Sequence, residues 1–327
     1  MKSLHHLING GLILSATLFL FSCTKQMEEP QEDVAATVSS ASTDCKPGVL
    51  GVLSTFPNNV GSQWRTVMQK WFDGNGKLSN IKANIGTAND VLNPGEFNLA
   101  WGTVTYNGNQ VYLHDNGNLV LRVTLNGQGK PEASYFYMQS PPHGYAEIDT
   151  SYYYYTGDKL TQMVSLRHYP ITSYSITYDF YYDAYGNIER VESGNTPGSA
   201  VRIRYIYDYS KPNNDMLPYT YISIASKLLE YMDLLRLPMH HELSLFIRGA
   251  YAPGYPYDIF AVNLWNHFNY TYSGNMLAQS YQVPQGSFNN TFYTGWECNS
   301  TTNADPVSRA RTGPIQSLEE FKQRFHD

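Results

Sequence analysis

The chain has 327 residues, of which 28 are Tyr and only 15% are charged, with a formal net charge of −6. Globular domains carry about 25% charged residues, so this surface must be covered largely by Tyr, Asn, Ser, Thr and Gly. Lys and Arg form no cluster, which excludes nucleic acid as a partner, and nothing in the spread of Asp and Glu suggests electrostatic capture of a highly charged ligand.

At the N-terminus, Lys2 precedes an apolar run from Leu12 to Phe21 that ends on the small residue Ser22. That order predicts a secretory signal over residues 1–22. The run is about half the ~20 residues that a membrane-spanning helix needs. Leu20-Phe21-Ser22-Cys23 resembles the lipobox of bacterial lipoproteins, whose cysteine receives a diacylglyceryl group and becomes the new N-terminus. Cys23 is therefore the expected lipidation site, with palmitate-class acyl chains each contributing about 0.8 kcal/mol per buried CH₂. The expected address is the bacterial cell envelope, lipid-anchored in the outer membrane, on either its periplasmic or its cell-surface side.

Residues 23–47 are rich in Ser, Thr, Ala, Glu and Gln, a composition that cannot bury enough surface to offset ordering, and are expected to be a flexible tether. Its acidic cluster of Glu28, Glu29, Glu32 and Asp33 leaves two readings open. It resembles the acidic export signal of surface-displayed Bacteroidota lipoproteins, or it is a solvated linker kept extended by charge. Residues 48–327 are expected to form a single β-rich domain.

From Trp71 onward one pattern recurs: an aromatic strand end, a turn of Asp, Asn and Gly, then Leu, Ile or Met opening a return strand. Its copies run over 71–78, 112–119, 154–160, 181–188 and 270–277, with a degenerate copy at 207–212. Gly and Asn tolerate the positive φ of tight reversals, so each copy predicts a hairpin tip. The flanks alternate with period two, as in Tyr174, Ile176, Tyr178, Phe180 and Tyr182. The expected fold is all-β: an antiparallel meander of hairpins forming a curved sheet or barrel.

A helical insertion is expected at about 223–248. Ala225, Leu228, Leu229, Met232 and Leu235 recur at helical spacing behind Ser223 or Ser226 as caps, and a second short helix is expected from His240 to Arg248, the pair covering one mouth or face of the sheet. Ser317-Leu318-Glu319-Glu320 reads as a capping box for a short C-terminal helix with Leu318, Phe321 and Phe325 on one face.

The segment Tyr181-Tyr182-Asp183 followed by Gly186-Asn187-Ile188 resembles the tyrosine–aspartate (YD, RHS-type) repeat. Behind a lipobox and an acidic tether, it is similar to uncharacterised Bacteroidota lipoproteins with a porin-like β domain. That resemblance implies β architecture and a lipoprotein class and carries no activity or site residues.

Chemical motifs are few. Cys45 and Cys298 are left beside Cys23, and three states stay open for them: a disulfide, two partly buried thiols, or a metal site, for which the spacing is wrong. His240-His241-Glu242 lacks the second His of a zinc protease because Leu245 stands four residues after His241, so surface or helix-cap histidines are expected. The Asp-rich turns at 73–76 and 115–118 lack the bidentate Glu of helical calcium loops. Tyr251, Tyr255 and Tyr257, interleaved with Pro253, Gly254 and Pro256, form a rigid loop that either presents rings to a sugar or protein partner or wedges onto the barrel. No cofactor is expected.

The leading functional expectation is a non-enzymatic envelope lipoprotein that binds a glycan or an envelope protein or serves a structural role. Its rivals are a glycan-acting hydrolase and a periplasmic carrier of lipid or lipoproteins. The interior of the sheet separates them. Two carboxylates roughly 5–10 Å apart in a polar cavity would favour hydrolysis, a deep apolar cavity lipid carriage, and a filled core with Tyr exposed on one face binding.

Overall fold

The computed structural model describes residues 45–55, 61–85, 97–140, 144–168, 173–194, 200–212, 222–251, 260–273, 276–282, 289–298 and 315–325. Cys23, the acidic cluster and the signal lie outside the described residues. Sixteen strands fall within them: β1 (Cys45–Thr55), β2 (Ser62–Phe72), β3 (Leu78–Ile85), β4 (Phe97–Asn107), β5 (Gln110–Asp115), β6 (Asn118–Leu125), β7 (Pro131–Ser140) and β8 (Gly144–Thr156). The rest are β9 (Lys159–His168), β10 (Ser173–Tyr182), β11 (Ile188–Ser193), β12 (Ala200–Pro212), β13 (His241–Tyr251), β14 (Phe260–Ser273), β15 (Met276–Gln282) and β16 (Asn289–Cys298). β1 begins at Cys45, so the last three residues of the expected tether belong to the wall.

Every strand pairs antiparallel with its neighbours in sequence, and β16 returns to pair with β1, so the meander closes into a barrel without free edges. Alternating strand direction sorts the connections onto two ends. The start of β1, the end of β16 and short turns such as 73–77, 126–130, 157–158 and 183–187 share one end, the turn end.

Three of those turns are built identically. Asp73, Asn126 and Asp183 each donate their own N–H to the carbonyl four residues on, at 2.8, 2.8 and 3.0 Å. Each side-chain Oδ1 also accepts the N–H groups two and four residues later, at 2.8–3.0 Å. Gly76, Gly129 and Gly186 follow at φ 72°, 76° and 87°, the left-handed region where a side chain would be strained. The copies at 112–119 and 154–160 also cross hairpin tips, and the flanks of the copy at 270–277 pair up to Ser273↔Met276. The degenerate copy at 207–212 is no tip. β12 runs through it with an irregularity between Asp208 and Pro212.

Inward positions follow the alternation. Leu113, Leu121, Val123, Phe136, Met163, Ile188 and Ile203 are buried in one continuous core. At its centre is α1 (Ile224–Tyr231), capped by a reciprocal Ser223–Ser226 box, with every residue from Ala225 to Tyr231 buried. A helix buried on all sides is enclosed; α1 touches both β3 and β7, four strands apart, and shares the luminal core, so it lies inside the barrel as a plug segment. Polar contacts tie the plug segment to the wall: Lys70 Nζ on β2 meets Asp233 Oδ2 at 2.7 Å, Arg167 on β9 donates to the Ile222 carbonyl at 3.4 Å, and Ile188 N on β11 donates to the Pro238 carbonyl at 2.8 Å.

Of the two placements expected for the insertion, a mouth or a face of the sheet, α1 takes the inner face. One helical expectation is corrected: the second short helix at His240–Arg248 does not form, because His241–Tyr251 is strand β13. The cause is a bulge. Tyr207 pairs with Leu243 and Ile206 with Leu245, leaving Ser244 unpaired in register, with its Oγ on the Ile206 carbonyl at 2.9 Å. The extra residue sets inward-facing Leu243 and Phe246 three apart, a strand imitating helical spacing.

The C-terminal helix, α2 (Leu318–Phe325), forms where expected and buries Phe321 and Phe325. Its core is separate from the luminal one and holds Val49, Ile315, Phe321 and Phe325 with Trp64 and Tyr293 packed against them. These wall residues come from β1, β2 and β16, so α2 covers the outer face of the seam where the barrel closes.

Candidate functional site

The outer face of β8–β12 is built by the same alternation that fills the lumen. On β8, inward Ser151 and Tyr153 leave Tyr152 and Tyr154 outside; on β10, inward Tyr178 and Phe180 leave Asp179 and Tyr181 outside. Tyr154 is 51% exposed. Register aligns Tyr154 with Gln162, Gln162 with Asp179, Asp179 with Glu192 and Glu192 with Arg202, one row across five strands. Within it Gln162 Nε2 donates to Asp179 Oδ1 at 2.8 Å, and Arg202 Nε donates to Glu192 Oε1 at 2.8 Å. Beside the row, the Arg190 guanidinium lies 4.1 Å from the centre of the Tyr181 ring. Burial and the carboxylates of Glu192 and Asp179 push the Tyr181 hydroxyl above its usual range. The result is a face on which the exposed rings of Tyr152, Tyr154 and Tyr181 stand beside half-buried amide and carboxylate groups and the largely buried Arg202–Glu192 pair, chemistry suited to stacking and hydrogen bonding.

A second aromatic group sits at the turn end. Tyr185 (62% exposed), Tyr209 and His241 pack with ring centroids 4.9–5.3 Å apart, and the Tyr209 hydroxyl donates to Asp183 Oδ2 at 3.0 Å. His241 is thus a strand-start residue against two rings, and the His240 backbone N–H donates to Asn187 Oδ1 at 2.5 Å. No group of three or more His, Cys, Asp or Glu able to hold a metal occurs among the described residues.

Inside the wall, one polar cluster interrupts the apolar lining. Asp149 accepts from Ser151 at 2.8 Å and from Ser165 at 2.9 Å, with Arg167 Nε 3.7 Å away. Burial raises the Asp149 pKa, and the two hydroxyls and Arg167 oppose that shift. Two further carboxylates among the described residues belong to the plug segment: Glu230 Oε2 is 2.5 Å from Lys227 Nζ, and Asp233 holds Lys70.

Of the residues singled out in sequence, Tyr251 ends β13 with its side chain outside the described set, and Tyr255 and Tyr257 lie outside it altogether. Cys45 and Cys298 are direct backbone partners in β1 and β16. Sequence reasoning missed Tyr152, Tyr154 and Tyr181. A signal for the first two was present, since four consecutive Tyr at 152–155 in one strand must place two outside.

No family model matches the chain, and no curated protein matches it. Among solved structures it is similar to a porin-like protein from Bacteroides uniformis ATCC 8492, with 13% identity and a TM-score of 0.50 over 77% of this chain and 98% of that one. At that identity the likeness is one of fold.

Proposed function

We propose that this protein is a non-enzymatic lipoprotein of the bacterial outer membrane that binds glycan through the outer face of β8–β12. The observation that carries the reading is an exposed tyrosine face on a wall backed by an apolar core. The helix enclosed within that core favours it over an open pore. The enclosed carboxylates argue against hydrolysis, since Glu230 and Asp233 are each engaged by a lysine and Asp149 by two serines. Charged groups on the outer wall, where a lipid-facing Arg or Lys costs about 2–4 kcal/mol at the bilayer midplane, favour a wall in water. Membrane attachment then falls to the lipid on Cys23.

Two measurements test this. Cys23→Ser is expected to move the protein from the detergent phase to the aqueous phase, and continued membrane partitioning would remove the lipid anchor from the account. The soluble Cys23→Ser chain is expected to bind on a glycan array, and adding Tyr152→Ala with Tyr154→Ala should weaken binding about tenfold or more, a loss of ~1.4 kcal/mol. Uniform silence on the array, or unchanged binding by the tyrosine variant, would sink the glycan reading; binding to an envelope protein instead would redirect it to the protein-partner alternative.

A further inference from the structure

We propose that Cys45 and Cys298 form a disulfide that closes the barrel seam covalently. Backbone register makes the two residues direct partners, the terminal pair of the β1–β16 ladder. Directly opposed Cα atoms in antiparallel strands lie about 4.5 or 5.5 Å apart, and both spacings fall within the roughly 4.4–6.8 Å that disulfides span. Two cysteines 253 positions apart in a chain with three cysteines are thus brought to bonding range by barrel closure itself.

The seam ladder is irregular at this place. The register shifts between Pro47 and Val49, and beyond that irregularity only Cys45, Lys46 and Pro47 continue the pairing, Pro47 without an N–H to donate. This is also where the N-terminal segment enters the wall, so tension from a lipid-held N-terminus would reach β1 at Cys45 first. A bond there prevents β1 from peeling off β16 from its loaded end.

The chemistry balances as thiol–disulfide exchange. One cysteine thiolate attacks the disulfide of a thiol oxidase, forming a mixed disulfide; the second thiolate displaces the oxidase, which leaves as a dithiol carrying the two electrons. Such oxidants act outside the cytoplasm, so bond formation in the cell rests on the secretion reading, whereas the geometry does not.

The test is peptide mapping of the full chain from cell envelopes, alkylated in denaturant without reductant. A reductant-sensitive cross-link between the Cys45 and Cys298 peptides is expected, and a Cys45–Cys23 cross-link would overturn the proposal. The same mapping on purified chain equilibrated in glutathione buffer separates geometry from compartment. A bond formed in buffer but not in cells supports the proposal and counts against secretion, and free, alkylated thiols in buffer overturn it. As partners in one bond, Cys45→Ser, Cys298→Ser and the double variant should each lower the melting temperature by about 5 °C or more, to the same value. Additive losses would overturn the bond.

Discussion

Asp233→Asn is expected to lower the unfolding free energy by about 3 kcal/mol or more, the cost of removing one partner of a buried ion pair. Lys70 is fully enclosed in the wall, its side chain 0% exposed, and its Nζ is 2.7 Å from Asp233 Oδ2. It points inward because its register partner Ile81 is itself a fully buried core residue. With the carboxylate replaced by an amide, the ammonium keeps its place in a low-dielectric interior but loses the charge 2.7 Å from it. Backbone effects do not confuse the experiment. Asp233 sits at φ 59°, and Asn tolerates that left-handed conformation. Lys70→Met in the same background removes the buried ammonium and should recover a large part of the loss, so that the double variant is more stable than Asp233→Asn alone. Urea unfolding at fixed pH reads both. A loss under 0.5 kcal/mol, or a double variant worse than the single, would show that this contact does not hold the plug.

The pair also marks the boundary of what the sequence reveals. Asp73, Asn126 and Asp183 announce their turns because the bonds that build each turn lie within four residues, and local chemistry is written locally. The tyrosine-rich alternation likewise gives away the strands and the inward face. Lys70 and Asp233 are 163 positions apart, and nothing near either predicts the other. The plug is obscured for a related reason: Ser226, Lys227 and Glu230 look like the wet face of a surface helix, yet all are buried, Lys227 pairing with Glu230 one turn away. A helix that neutralises its own charges can enter a core that its composition would forbid. At His241–Tyr251 the opposite failure occurs, since one bulge at Ser244 converts a strand's period of two into an apparent three. The tyrosine face is partly readable, because a run of four Tyr must show two outside, but its row of Gln162, Asp179, Glu192 and Arg202 exists only once four hairpins are in register.

The second large effect is expected at the seam. Phe321 is completely buried on the outside of the barrel, with ring centroids 5.4 Å from Trp64, 5.9 Å from Tyr293 and 4.9 Å from Phe325. Phe321→Ala should cost about 3–5 kcal/mol where the site cannot collapse. The wall is shaped to receive these rings. A Cβ at Gly51 would lie 2.2 Å from Trp64, and one at Gly295 would lie 2.5 Å from Phe325, so bare backbone on adjacent strands makes the seat. Two buried hydrogen bonds fix the approach to α2, Thr66 Oγ1 to the Ile315 carbonyl at 2.6 Å and Ile315 N to Gln69 Oε1 at 3.0 Å. Because β1 and β16 are the two ends of the meander, their pairing is enforced by no direct connection between them, and its closure carries the largest loop entropy in the fold. Packing α2 across β1, β2 and β16 offsets that cost from outside, while the plug supports the wall from within. Hydrogen exchange separates the two supports. In Phe321→Ala, amides of β1 and β16 should lose protection while those of β9–β11, which face the plug, keep theirs. Equal loss around the whole barrel would mean that α2 stabilises the fold globally and not the seam, and unchanged exchange at β1 and β16 would mean that it is not a clasp at all.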